Sequence, residues 1–250
     1  MDVAEALAIL AAGMGAGAIN AVVGSGTLIT FPVLIALGYA PLVANVSNNV
    51  GLVPGAVSGT IGYRRELAGQ RHRVLQLGAF SAAGGLGGAI LLLSLPASAF
   101  DAIVPALIAL ALVLVVIQPR LTRALAHRRR TDNRHGATLR ALVGATGVYG
   151  GYFGAAQGII LMSLLGIAID DQLQRLNALK NVLSGVVNLL AGAVFIVVAD
   201  VDWAVAALIA AGSIVGAALG ARYGRRLSPT ALRALIVVVG TVAIVRLTVG

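Results

Sequence analysis

The stretch VVGSGTLITFPVLIALGY, residues 22–39, interrupts an apolar block that runs from Val3 to Gly38. A block of that length is too long for one ordinary crossing, which needs ~20 residues, and Gly24-Ser25-Gly26 breaks it where backbone freedom is greatest. The piece after the break, Thr27 to Leu37, covers only ~16 Å at 1.5 Å per residue, about half of a ~30 Å hydrocarbon core. A re-entrant hairpin of two half-helices over residues 3–38 therefore fits better than a single crossing. Pro32 lies inside the second piece and is expected to kink it or delay its start.

The surroundings of this stretch are those of an all-α integral membrane protein. Of 250 residues, 59% are hydrophobic and 11% charged, whereas soluble domains carry about 25% charged residues. Mean hydropathy is +0.96. Such a chain has room for about six to eight crossings and little else. It has no cysteine, which removes disulfides, thiolate metal sites and iron–sulfur clusters. His72, His127 and His135 lie in charged stretches between apolar runs, so neither a haem nor a zinc site is expected and no cofactor is implied. The N-terminal run starts after Asp2 and Glu5 without a basic segment, unlike a cleaved signal peptide. A net charge of +9 would suggest nucleic acid in a soluble protein. Here the arginines flank apolar blocks and report topology instead, so no nucleic-acid partner is expected.

Working outward, the first half reads as the hairpin (3–38) followed by apolar helices over 42–63, 74–95 and 100–118. A basic connector, 119–140, follows. The second half repeats the plan over 141–169, 176–199, 203–223 and 230–249, with Gly150, Gly151 and Gly154 breaking its first block. At an offset of 132 residues Asn45-Val46-Ser47-Asn48-Asn49-Val50 falls on Asn177-Ala178-Leu179-Lys180-Asn181-Val182, Gly26 falls on Gly158, and Gly84 with Gly88 falls on Gly216 with Gly220. Residues 1–118 and 141–250 thus read as a duplicated unit.

Charge sets the parity. If residues 141–169 crossed once, Arg222, Arg225, Arg226 and Arg233 would lie opposite the connector that holds Arg120, Arg123, Arg128, Arg129, Arg130, Arg134 and Arg140, against the positive-inside rule. A re-entrant block puts both on the cytoplasmic side with Arg64, Arg65, Arg71 and Arg73, and leaves Asp101, Asp200 and Asp202 outside; Arg246 is a lone exception. Each half then has one hairpin and three crossings. Three is odd, so the two repeats have inverted topology and the natural binding place is the midplane between them.

All nine carboxylates (Asp2, Glu5, Glu66, Asp101, Asp132, Asp170, Asp171, Asp200, Asp202) fall at block ends or in loops. This argues against a proton relay through Asp or Glu, a cation cage or metal site, and paired-carboxylate hydrolysis. No nucleophile–base pair is visible, so an enzyme is not expected. What the apolar blocks do contain is amides and Lys180, the only lysine. Asn177, Lys180, Asn181, Ser184 and Asn188 share one helical face, and Asn45, Asn48 and Asn49 occupy the equivalent face in the first half. Packing between helices is the plain alternative for the asparagines, and snorkelling to the interface for Lys180. Clustering favours a site. An anion is the preferred ligand: the breaks direct helix N-termini near Ser25, Gly26 and Thr27 and near Gln157 and Gly158 inward, and Lys180 adds a full positive charge. The Gly51-Gly55-Gly59, Gly84-Gly88 and Gly212-Gly216-Gly220 series read as close-packing faces, and Arg128-Arg129-Arg130 as a topogenic loop with anionic lipid contact as a secondary reading.

VVGSGTLITFPVLIALGY and VANVSNNVGLVPGAVSG (43–59), with YGGYFGAAQGIILMSLLGI (149–167) and RLNALKNVLSGVVNLLAGAVF (175–195) in the second half, resemble the TauE/SafE family of membrane transporters over nearly the whole chain. Gly24, Gly26 and Pro32, and Gly150, Gly151, Gly154 and Gly158, match its broken-helix motifs. The sequence departs from them at Ser25, where glycine is common, and at Leu161-Met162, where a Pro-containing stretch is common. The resemblance implies a secondary transporter in the bacterial inner membrane, multi-pass, exporting sulfite, an organosulfonate or a related sulfur or carboxylate anion. An anion channel and a non-transporting scaffold are the alternatives, and assembly into a homo-oligomer is left open.

Overall fold

The computed structural model describes residues 1–126, 136–224 and 229–249. All regular structure among them is helical: α1 (Val3–Val22), α2 (Thr27–Ala36), α3 (Pro41–Gly62), α4 (Arg71–Ser94), α5 (Ala97–Ala126), α6 (Gly136–Tyr152), α7 (Gln157–Ala168), α8 (Leu173–Val198), α9 (Trp203–Tyr223) and α10 (Pro229–Val249). Five are long and apolar enough to cross a bilayer: α1, α4, α5 over Ala97–Arg120, α8 and α9. Arg128, Arg129, Arg130, Asp132, Arg134, Arg225 and Arg226 lie outside the described residues.

Local chemistry explains the helix ends. Asp2 and Glu5 form a reciprocal capping box on α1, the Asp2 carboxylate accepting from the Glu5 amide at 2.7 Å and the Glu5 carboxylate from the Asp2 amide at 2.9 Å, which satisfies two otherwise orphaned donors. Asp202 caps α9 by accepting from the Ala204 and Val205 amides, and Pro41 starts α3 where its missing N–H costs nothing. Helix α5 extends into the expected connector as far as Ala126, since Leu121, Ala124, Leu125 and Ala126 are strong helix formers. Pro32 neither delays nor ends α2 but sits inside it.

Both blocks break, the second at Gly154 and not at Gly150 or Gly151, which stay inside α6, and the arms of the first are unequal. Helix α1 has 20 residues, about 30 Å and the length of a full crossing, whereas α2 with 10 residues is half that. In the first break the Val23 and Gly24 amides both donate to the Ile19 carbonyl, at 2.7 and 2.9 Å, with Gly24 at φ +87°. In the second, the Phe153 and Gly154 amides donate to the Tyr149 carbonyl, at 2.9 and 3.1 Å, with Gly154 at φ +77°. Both are glycine-dependent C-terminal caps.

Corresponding helices start 132 residues apart: Pro41 and Leu173, Arg71 and Trp203, Ala97 and Pro229. Contacts come in exchanged pairs, α1 on α9 with α6 on α4, α3 on α9 with α8 on α4, and α2 on α10 with α7 on α5. Directions follow from close approaches. Gly212, Gly216 and Gly220 lie against Leu10, Met14 and Ala18, so α1 and α9 are parallel, and Gly84 and Gly88 lie against Gly144 and Val148, so α4 and α6 are parallel. Helices α3 and α8 are antiparallel, with Ala56 beside Gly185 and Asn49 beside Gly192. A Cβ at Gly84, Gly88 or Gly216 would run into a backbone carbonyl of the facing helix, so these glycines set interhelical distance. Outside the bundle Leu75, Ile90, Val113, Val197 and Val238 stay exposed, a surface that lipid, not water, solvates without penalty.

Candidate functional site

The two breaks meet. The Gly158 amide at the start of α7 donates to the Gly24 carbonyl at 3.0 Å, and a Cβ on Gly24 would fall 2.5 Å from Gly158 Cα. Beside this crossing lies a small polar cavity lined by Asn20, Thr27, Gln157, Asn181, Ser184 and Asn188 together with backbone of Gly24, Gly55, Gly59, Gly154 and Gly158. Its room is about 40 Å³, against about 10–15 Å³ needed for one water on the same measure. That is room for a few waters or one small ion. Anything larger requires the breaks to part. No acidic side chain lines the cavity.

Two lining atoms have unmet hydrogen-bonding capacity. Gln157, 3% exposed, keeps its Nε2 without a partner, and so does the Ser184 hydroxyl. A buried unpaired amide nitrogen is costly unless a ligand or water accepts from it. Thr27 and Gln157 are the first residues of α2 and α7, so both half-length helices bring their positive N-terminal ends to the cavity.

The amide stripes do something the spacing did not reveal: they hold the C-terminal carbonyls of the broken helices. Asn177 and Asn181 donate through Nδ2 to the Ala21 carbonyl at 3.0 and 3.2 Å. The Lys180 ammonium donates to the Asn20 carbonyl at 2.9 Å and is 1% exposed, so it does not snorkel. A cation there complements the negative end of the α1 dipole. On the other side Asn45 donates to the Tyr152 carbonyl, the last of α6, at 3.0 Å. Asn48 faces its own half, accepting from the Thr30 hydroxyl and donating toward Thr27 Oγ1 at 3.5 Å.

Of the expected site residues, Thr27, Gln157, Gly158 and Asn181 line the cavity. Ser25 is buried with its hydroxyl unpartnered, and Asn49 with its Oδ1 unpartnered, but neither lines it; Gly26, Asn45, Asn48, Asn177 and Lys180 stand behind it. Several backbone amides expected to face a ligand are already engaged: Gly26 N–H donates to Asn20 Oδ1 at 2.6 Å, and Gln157 and Gly158 donate to the Gly154 and Gly24 carbonyls. Asn20 is the residue that sequence reasoning missed. It is an amide within the apolar α1, four residues before the break, and it links the cavity, the Gly26 amide and Lys180.

Comparison with known proteins adds the following. A family model described as Sulfite exporter TauE/SafE matches residues 9–247. The chain is 28% identical to the probable membrane transporter protein ORF9 of Sinorhizobium sp, over 93% of this chain and 88% of that one. It is 27% identical to the probable membrane transporter protein YfcA of Escherichia coli strain K12, over 92% and 84%, and 28% identical to a probable membrane transporter protein of Haemophilus influenzae, over 95% and 93%. No solved structure matches it.

Proposed function

Because this chain belongs to the sulfite exporter TauE/SafE family of membrane transporters, we propose that it exports a small sulfur-containing or carboxylate anion through the cavity where its two breaks cross. The observation that carries this reading is the unpartnered Gln157 Nε2, a buried donor beside the N-terminal ends of α2 and α7 in a cavity without a carboxylate. The Ser184 hydroxyl adds a second free donor. Lys180 lies one residue layer away on Asn20, so its charge favours an anion while its ammonium holds the α1 end rather than the substrate.

Two repeats of opposite orientation complete the reading. The antiparallel α3 and α8, and the exchanged pairing of the other helices, support it. An axis in the membrane plane would then pass near the Gly24–Gly158 crossing and put the cavity at mid-depth. Arg64, Arg65, Arg71, Arg73, Arg140, Arg175 and Arg222 flank helix ends in the manner of cytoplasmic loops of an inner-membrane protein. Outward movement needs no bound coupling ion, since an anion leaving an interior at about −100 mV gains ~2.3 kcal/mol per charge.

Uptake and counterflow in proteoliposomes with labelled sulfite, sulfate, sulfoacetate and a carboxylate test this. Saturable flux with counterflow, lost in Gln157→Ala, is the expected result. Flux without counterflow would make the protein a channel. Flux indifferent to Gln157→Ala would move the pathway elsewhere.

A further inference from the structure

Helices α3 and α9 form a second feature, on the outside of the bundle. Val53, Pro54, Val57, Ser58, Ile61 and Gly62 of α3 and Ile214 and Ala218 of α9 bound an open apolar groove. Gly62 and Ala218 also bound a cleft containing Arg64, Arg65, Glu66 and Arg222, so the groove runs directly into a basic mouth. On α9 the positions 214, 218 and 222 are one helical turn apart, and on α3 and its exit 53, 57, 61 and 65 follow the same four-residue step. Each stripe is apolar along its length and ends in an arginine. Ser58 does not spoil the apolar wall, because its hydroxyl donates to the Ile214 carbonyl at 2.9 Å. Gly62 lets the helices close up beneath the mouth, since a Cβ there would strike that of Ala221.

We propose that this groove and its arginine mouth bind one anionic phospholipid, the acyl chain lying along Val57, Ile61 and Ile214 and the phosphate between Arg65 and Arg222. Three dimensions agree. From Val53 to Gly62 the groove extends about 14 Å along α3, close to the ~15 Å depth of one leaflet's hydrocarbon. Val57, Ile61 and Ile214 are 53%, 55% and 43% exposed, so the wall is open to lipid along its length. The three arginines outnumber Glu66, and arginine forks suit phosphate oxygens. A second copy of the chain is disfavoured as occupant, because a two-fold contact on this face would bring two such arginine groups together.

The test uses the full chain in phosphatidylcholine bilayers with spin-labelled phosphatidylglycerol or phosphatidylcholine, and reads the relative association of the two probes. Wild type is expected to prefer phosphatidylglycerol. Arg64→Gln, Arg65→Gln and Arg222→Gln should lower that preference about fivefold per arginine, while the three Lys replacements, which keep the charge, hold it within about twofold. Val57→Trp with Ile214→Trp, which fills the groove and leaves the arginines, should abolish it. A preference that survives the Gln replacements or the filled groove overturns the proposal. So does competition by glycerol 3-phosphate as effective as by the lipid, which would make the mouth a soluble-anion site, or efficient disulfide dimerisation of Val57→Cys, which would make the groove a contact between copies.

Discussion

The two breaks stand at corresponding places in the two halves and are held by different chemistry. The first turns on Gly24, and three side chains, Asn177, Lys180 and Asn181, hold the carbonyls of the helix that ends there. The second turns on Gly154 and then again on Ala156, at φ 60°, and one side-chain amide, from Asn45, reaches the end of its helix. Position 156 is the counterpart of 24 at the 132-residue offset, so a glycine in one half is an alanine in the other, where the left-handed conformation costs roughly 1–2 kcal/mol. The Tyr149 hydroxyl also donates to the Ala155 carbonyl at 2.5 Å, but that tie lies within the turn's own half; across the halves the strained turn has one tie and the relaxed one three, so the strained turn is expected to yield first. On the proposed function, the first break is expected to be the fixed jaw of the cavity and the second the jaw that opens, because strain retained at a switch lowers the cost of leaving that state.

The sharpest way to break this comparison is at the crossing itself. Gly24→Ala would put a Cβ 2.5 Å from backbone of Gly158 on a left-handed residue, and neither helix can shift without losing its packing. The expected cost is on the order of 3–5 kcal/mol, read as loss of the folded fraction on size exclusion and a collapsed melting temperature. Lys180→Met comes next. If the ammonium serves the α1 end, stability falls by about 1.5–3 kcal/mol, the range for hydrogen bonds to charged groups, and maximal flux falls while KM stays within about twofold. A large rise in KM at unchanged stability would make Lys180 a substrate ligand. Asn45→Ala, which removes the one tie across the halves at the second break, should cost about 1 kcal/mol. Ala156→Gly should do the reverse and stabilise by about 1 kcal/mol, while slowing exchange between open and closed states in counterflow. If it destabilises, the second break is not strained and the assignment of moving and fixed jaws fails.

Much of the helical architecture was legible because composition and break chemistry act locally. A chain with 11% charged residues cannot solvate a globular surface, and Gly24-Ser25-Gly26 cannot continue an apolar helix cheaply; Gly150 and Gly151 marked the neighbourhood of the second break but not its place, since both remain in α6. Helix length was misjudged at α1, because the break shows where a helix ends but not how much of the preceding run it needs. The site was legible only as a face. Four-residue spacing put Asn177, Lys180 and Asn181 side by side, but spacing carries no information about what lies opposite, and what lies opposite is the exposed end of another broken helix. An unfilled backbone carbonyl in a dry interior attracts the same donors that an anion would. Asn20 escaped notice for the complementary reason: it is a single amide in an apolar run, and its partner, the Gly26 amide, lies across a break whose geometry spacing does not reveal.

The weakest effect bears on which side opens. At one end the halves are joined by ions: Asp171, between α7 and α8, accepts from Arg73 of α4 at 2.6 Å and from Arg175 at 2.9 Å. At the other, the Asp202 amide donates to the Ser47 hydroxyl at 2.8 Å, and the first-half counterpart of Asp171 is the uncharged Tyr39. Burial pushes the Asp171 carboxyl up, but hydrogen bonds from Arg73 and the Gln172 amide and the charges of Arg175 and Arg73 outweigh it and hold the group below the usual carboxylate range. A lowered pKa means that the ion pair's contribution is whole above the unfolded value of about 4 and is lost as pH falls through the folded one. Asp171→Asn should therefore cost about 1 kcal/mol or less, because its arginine partners are partly solvated. The gap in melting temperature from wild type should stay constant from neutral pH to about pH 5 and close only in stronger acid. If flux in Asp171→Asn rises while that gap is small, the ionic end is the one that must part for substrate to enter; if flux is unchanged, opening proceeds at the hydrogen-bonded end and the ion pair is a static brace.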